Sequence, residues 1–398
     1  GDSLWVEGAL MRIGLITGEY PPMQGGVGAY TRIIAQKFTE LNQDVFVYTD
    51  KQALESDGRI NLTTTSGWGP LSLHNIRQWV HDNRLDVVIL QFETAAFSMS
   101  PWVHFLPDIV RSVPFVTRFH DLLVPYLFPK AGIIRDWIVQ RLARASDGVI
   151  ATNHEDFSRL KSLPLSELIP IGSNIANVLI QDYDPGHWRN AAEVDENEFL
   201  VAHFGFINRS KGIEILLEDV ALLRNRYGYP IRLLMIGGRT GDSDPENAAY
   251  AREIDTLIER IGLGDSIYWT GFVDEREVSC YLRAVDAVIL PFRDGASYRR
   301  GSLMAAIGHG CAIITTAPQY DVPDFVDGEN MLLVYPEIID SDVPPYVHVT
   351  PQILRLYRNP ELRQRLRAGA LELAKRFEWD NIADQYLTFL NRMLEARS

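Results

Sequence analysis

Cysteine is nearly absent: Cys280 and Cys311 are the two in 398 residues. Two cannot build a disulfide framework, and neither has a Cys or His neighbour at metal-ligand spacing. Both lie in apolar stretches and are expected as buried, reduced thiols, which fits a reducing compartment. Basic charge is also short, with 38 Lys and Arg against 52 Asp and Glu and a net charge of −14. A nucleic-acid binder needs a basic face to neutralise phosphates, so that class is excluded. The deficit sits downstream: 15 basic and 18 acidic side chains precede residue 171, and 23 and 34 follow, a balance that serves solubility. No run approaches the ~18–20 apolar residues that span a bilayer. The opening GDSLWVEGAL lacks the basic start and apolar core of a secretory leader. Residues 1–10 read as an extension ahead of the fold, Met11 as its start, and the cytoplasm as the expected compartment. The nine histidines show no paired ligand spacing, so no metal site is expected.

What is present is an ordinary globular composition, 46% hydrophobic and 23% charged, of a length that suits two or three domains. Short apolar runs alternate with amphipathic stretches: strands at 12–17, 44–49, 86–92, 114–119 and 148–152, with helices such as 27–41 and 133–145 between them. The order repeats from 199–206, with a helix at 212–226 and strands at 231–237, 266–272, 287–292 and 311–316, broken by a helix at 247–261. Continuous apolar strands separated by helices mean a parallel sheet covered on both faces. The expected fold is α/β: two doubly wound Rossmann-like domains, 11–172 and 199–376, joined by a linker at 173–198. A terminal helix over 377–398 carries Ile382, Tyr386, Phe389, Leu390 and Met393 on one face. Such domains bind ligands beyond the carboxyl ends of their strands, and two facing each other would share a cleft.

The loops at those ends hold the candidate chemistry. GEYPPMQGGVGAY (18–30) places Gly25, Gly26 and Gly28 where a helix begins, so the backbone can approach a ligand and offer free N–H groups. A dinucleotide fingerprint starting at Gly26 would need glycine at Thr31, which disfavours hydride transfer. The plain structural reading is a tight strand-to-helix turn. In GFINRSKG (205–212), Arg209 and Lys211 precede a helix, an arrangement suited to a diphosphate, against the alternative of a solvated lysine. In DGASYRRGS (294–302), Arg299 and Arg300 precede Gly301 and Ser302 at another helix start. Positive charge there opposes the dipole unless an anion joins it, and Ser302 is a candidate cap. His120, after the strand at 114–119 and beside Asp121, is a candidate ligand contact rather than a structural histidine.

These loops, in this order, resemble the retaining nucleotide-sugar glycosyltransferases of family 4, which have the GT-B fold; the resemblance runs from Met11 to the C-terminus. PPMQGGVGAY is similar to the family's first loop over the donor diphosphate. His120 in FHD stands where a histidine contacts the donor sugar, and IPIGSN (169–174) resembles the segment leading into the linker. FGFINRSKG resembles the motif whose lysine, here Lys211, meets the diphosphate. TGFV (270–273), with Gly271, Phe272 and Val273, resembles the loop that holds the nucleobase by its backbone. WDNIADQYLTFL is similar to the terminal helix that crosses back to the first domain. The family's two glutamates, eight residues apart, fall here on Ser297 and Ala305, and its arginine after the strand glycine is Phe206. Loss of a charge-assisted hydrogen bond to ribose would cost about 1.5–3 kcal/mol if nothing replaced it.

The resemblance implies a retaining, metal-independent hexosyltransferase that uses a nucleotide-diphosphate sugar as donor substrate and no cofactor. Lys211, the Arg299–Ser302 turn with Ser297, and the glycine loop would stabilise the leaving diphosphate, with His120 orienting the sugar. The acceptor is unidentified: a glycan, a lipid or a small molecule. The partners implied are that donor and acceptor, without nucleic acid or an obligate protein. A peripheral membrane contact at Phe128, Pro129 and Lys130 stays open. The alternatives are a nucleotide- or sugar-binding protein that has lost catalysis and another GT-B chemistry, such as nucleotide-sugar epimerisation or phosphorolysis.

Overall fold

The computed structural model describes residues 10–396 apart from 24–25, 55–57, 121, 123–131, 173–174, 176, 178–180, 239–244 and 338–346. The chain forms two compact units, Gly1–Ile171 together with Trp379–Ser398, and Gly172–Glu378. The second is therefore an insertion into the first.

In the first unit the strands are β1 (Arg12–Thr17), β2 (Asp44–Asp50), β3 (Ile60–Thr65), β4 (Val87–Phe92), β5 (Phe115–Phe119), β6 (Gly148–Ala151) and β7 (Ser166–Leu168). They form one sheet in the order β3-β2-β1-β4-β5-β6-β7, every pair parallel. Alternate side chains enter different cores, which is why these strands read as unbroken apolar runs. Ile13, Leu15, Val45 and Val47 pack with Ile34 and Phe38 of helix Gly26–Glu40 and with Tyr386, Phe389 and Met393 of helix Trp379–Glu395. Ile16, Phe46 and Tyr48 pack on the opposite face with Ile76 and Trp79 of helix Pro70–Asp82. The terminal helix thus belongs to the first unit's core. Gly148 makes room for it, since an added Cβ would stand 2.8 Å from the Phe389 ring.

The second unit repeats the plan with β8 (Phe199–Phe204), β9 (Ile231–Ile236), β10 (Ile267–Trp269), β11 (Ala287–Leu290), β12 (Ile313–Thr316) and β13 (Leu332–Val334). Their order is β10-β9-β8-β11-β12-β13, again all parallel. Both sheets reverse their winding once, between β1 and β4 and between β8 and β11, and such points open a crevice for ligands. The two cysteines are buried free thiols, and burial pushes Cys311 up to about 12.

The stretch expected as a linker, 173–198, is not all irregular. Residues 172–198 belong to the second unit and include helix Pro185–Ala191. Asp184 caps that helix, accepting from the Gly186 N–H at 2.9 Å, with Pro185 in its first turn. Arg189 pairs with Asp286 at 3.1 Å, and the Tyr183 hydroxyl donates to the Cys280 carbonyl at 2.8 Å. The Asp-Pro-Gly signature was in the sequence; a stretch without apolar periodicity concealed it.

Candidate functional site

At the winding reversal of the second unit lies a cavity of about 670 Å³. Its walls come from the loops after four strands and from the start of helix Gly301–Gly308. After β8, Gly205 turns the chain at φ +119°, a conformation that disfavours side chains. A Cβ there would also collide with Lys211 Nζ, so the glycine seats the lysine's amine at the carboxyl end of β8. The short 3₁₀ turn Arg209–Lys211 holds the lysine, and Gly212 ends the turn at φ +62°, where a Cβ would strike the Pro291 carbonyl. Burial, and then the Arg300 charge, bring the Lys211 ammonium down to about 8. Its charge reaches His203 on β8, fully buried with Nδ1 3.1 Å from the Ile289 carbonyl. Burial and then Lys211 push that imidazole down to about 3.

Arg300 occupies the N-cap position of helix Gly301–Gly308, and no side chain caps that helix. Its guanidinium is paired with Asp294 and lies 4.8 Å from the Phe292 ring centroid, while its buried Nε has no hydrogen-bond partner among the described residues. Lys211, Arg299, Arg300 and the first-turn amides therefore bring positive charge to the cavity wall. The cavity also presents exposed aromatic rings. Phe206 and Phe272 are 47% and 85% exposed, and Phe272 is the most exposed large hydrophobic side chain among the described residues. Val273, Val278 and Ile175 continue that wall. Asp274 also lines it but is committed to a capping box, accepting from Glu277 N–H at 2.8 Å while Glu277 accepts from Asp274 N–H at 3.1 Å. A ligand with an anionic end and a flat apolar end suits such a cavity.

Lys211, Phe272, Val273, Arg299, Arg300, Gly301 and Ser302, all expected from sequence, line this one cavity. Others stand elsewhere. Arg209 turns outward to bind Glu253 at 2.9 and 3.0 Å and lies 4.8 Å over the Tyr250 ring, so it lines a separate charged hollow. Ser297 is not on the wall; its carbonyl accepts from Arg300 N–H at 3.1 Å. Gly271 bridges to Gly237 at the rim, at φ +68°. Ser302 is the second residue of its helix, so it is not the cap. The backbone reaches its αR conformation only after Arg300. Ala305 is fully buried in that helix. Gly237, Gly238, Glu275 and Val278 were not anticipated; the glycine pair directly after β9 was the readable signal.

The first unit's candidates are arranged differently from expectation. Gly25 lies outside the described residues, as do Asp121, Phe128, Pro129 and Lys130. Gly26 and Gly28 begin helix Gly26–Glu40, but the Val27 and Gly28 N–H groups donate to the Glu19 carboxylate at 3.1 Å each. The chain supplies its own anion there. Gly28 is tightly packed, since a Cβ there would stand 3.0 Å from the Glu19 carbonyl. His120 follows β5 with its backbone N–H bonded to the Phe92 carbonyl at 3.0 Å and its Nε2 2.8 Å from Gln91 Oε1. Among the described residues no cluster of His, Cys, Asp or Glu could hold a metal, and no helix is long and apolar enough to cross a membrane.

Comparison with known proteins places this architecture. A profile described as glycosyltransferase family 4 matches residues 24–175, and one described as glycosyl transferases group 1 matches 198–342. A D-inositol 3-phosphate glycosyltransferase of Streptomyces bingchenggensis is 25% identical over 269 residues, 64% of this chain. The match spans 54% of that relative's length. Among solved structures, sucrose-phosphate synthase from Thermosynechococcus elongatus is 20% identical with a TM-score of 0.68, covering 98% of this chain and 100% of that one. The Anabaena protein HepE, solved with UDP, is 19% identical with a TM-score of 0.70, covering 96% and 100%. With both units matched by such profiles, and with the doubly wound sheets of each, the chain belongs to the glycosyltransferases of family 4 and has the GT-B fold.

Proposed function

We propose that the protein moves a sugar from a nucleotide-diphosphate sugar to an acceptor with retention of configuration, the diphosphate lying against Lys211 and Arg300 in the second unit's cavity. The observation that carries this is the pairing, in one cavity, of Lys211, Arg300 and an uncapped helix start with two exposed aromatic rings. A nucleoside diphosphate has that polarity: anionic at one end, flat and apolar at the other. HepE was solved with UDP and with UDP-glucose, which supports the same ligand class.

As the glycosidic bond breaks, the leaving diphosphate gains negative charge and the anomeric carbon becomes cationic. Lys211, Arg300 and the amides of Gly301 and Ser302 are fixed before that charge appears, which is the condition for electrostatic catalysis. Arg299 adds to the same field. His120 is read, as the family resemblance implies, as a contact to sugar hydroxyls. The group that accepts the sugar is left to an acceptor screen.

Lys211→Ala tests the assignment. It should lower kcat/KM by ~10²–10³ and weaken thermal stabilisation by the nucleotide diphosphate, with the fold intact by circular dichroism. Near-normal activity would overturn the diphosphate role. A binding protein without transfer is the second reading, favoured by one observation: Ala305 is buried and Ser297 is off the wall, so neither resembled glutamate position offers a carboxylate. Nucleotide-dependent stabilisation with no sugar transfer to any acceptor would select it.

A further inference from the structure

Among the described residues, the first unit buries an arginine with no carboxylate in hydrogen-bond or salt-bridge contact. Arg118, on β5, is fully buried, and its Nε and Nη1 meet no hydrogen-bond acceptor among the described residues. Nη2 donates to the Pro170 carbonyl at 3.2 Å. The guanidinium lies over the rings of Tyr30, at 4.5 Å, and Tyr386, at 5.2 Å. Aromatic faces attract a cation but do not neutralise it, so its field acts on the groups around it in a medium of low dielectric.

Two such groups adjoin it. Gln91, also fully buried, is its register partner on β4. His120 follows two residues further along the chain from Arg118. The Gln91 side chain meets His120 Nε2 at 2.8 Å, and the Tyr30 ring meets the imidazole edge-on, with centroids 4.9 Å apart and planes at 77°. One hydrogen bond and one ring contact therefore fix the imidazole's tilt. With Gln91 Oε1 as acceptor, the ring proton sits on Nε2 and the lone pair on Nδ1.

Among the described residues, groups from several elements surround the ring. Arg118 comes from its own strand, and from helix Gly26–Glu40 comes Tyr30, whose hydroxyl is bonded to that of Tyr386 on helix Trp379–Glu395 at 3.1 Å. From the segment after β6, Thr152 Oγ1 donates to the His120 carbonyl at 3.3 Å. Asp156 of helix His154–Leu160 is occupied by the Leu122 N–H at 3.4 Å and by Asn153 Nδ2 at 2.8 Å. Asp121 lies outside the described residues. Burial first, then Arg118, hold the imidazole well below its ordinary pKa.

We propose that Gln91 and Arg118 are positioning residues that keep His120 a neutral imidazole in one orientation. This rests on the reading of His120 as the group that meets the transferred sugar. It also supplies a chemical reason for the arrangement. A neutral imidazole can both accept and donate a hydrogen bond, whereas an imidazolium can only donate, so a neutral ring can discriminate among sugar hydroxyls.

The test is Gln91→Glu, which keeps the shape of the side chain and places a carboxylate against the ring, followed by ¹H–¹⁵N NMR of His120 in the full chain. In the wild type the His120 ring should titrate well below the ordinary midpoint of ~6.5. Gln91→Glu should raise the midpoint by about 1–3 and move the acidic limb of kcat to higher pH by a similar amount. A wild-type ring titrating near ~6.5, or a Gln91→Glu ring that titrates where the wild type does, would overturn the proposal. Should the variant not fold, the wild-type titration alone decides. If no sugar transfer is found with any donor, the sugar role falls while the NMR result still judges the positioning.

Discussion

At the scale of single residues, Lys211 carries the sharpest consequence. Its amine is held at about 8 by burial and by Arg300, below the ordinary lysine value. A bound diphosphate opposes both causes by adding negative charge, so it favours the ammonium and raises the pKa in the complex. Binding therefore takes up a proton wherever the free site is deprotonated. The sign follows: affinity is level below about 8 and falls above it, approaching tenfold per pH unit until the complex itself deprotonates. Calorimetry with UDP from pH 6.5 to 9.5 should show that break, together with proton uptake on the alkaline side. Lys211→Arg should remove the break, since arginine stays charged throughout. A level affinity across the range in the wild type would contradict the lysine's contact with the diphosphate.

At the scale of elements, the start of helix Gly26–Glu40 shows how far sequence reasoning reaches. Glycine in that loop was legible as a close-approach signal, and the helix was legible from its spacing. That the close approach is to the chain's own Glu19 was not, because the capping carboxylate sits eight and nine residues before the amides it accepts from. Glu19→Ala should cost about 1 kcal/mol, as for loss of other N-terminal caps. Differential scanning calorimetry would register it as a drop of about 2–4 °C, and an unchanged transition would show the cap to be energetically idle. The strands divide on the same principle. Apolar runs such as RIGLIT and DVVILQF announce themselves because both of their faces are buried. INLTTT of β3 is half polar at a sheet edge, and β7 and β13 are three residues each, so period and length carry too little signal. In the cavity, Lys211 and the two arginines were readable as charges that oppose a helix dipole. Arg209 looked equivalent, and only the fold shows Glu253 claiming it.

At the scale of the whole molecule, the terminal helix decides whether the first unit has a complete core. Ile382, Tyr386, Phe389, Leu390 and Met393 are all at most 2% exposed, and burying each such side chain contributes about 1.5–3 kcal/mol before ordering costs. That sum rivals the ~5–15 kcal/mol by which a folded domain exceeds its unfolded chain. Because the second unit is inserted ahead of this helix, the first unit's core is complete only once the last residues are in place. Phe389→Ala, which also empties the space left by Gly148, should therefore cost ~3–5 kcal/mol and act on the first unit. UDP, by contrast, should stabilise the unit that holds the cavity, by an amount that grows with ligand concentration. Hydrogen exchange separates the two: Phe389→Ala should speed exchange in β1, β4 and β6 and spare β8 and β11, and UDP should slow exchange around Gly205 and Ser302. Exchange rising equally in both sheets on Phe389→Ala would mean that the units unfold as one, and the insertion would then be a matter of chain order alone.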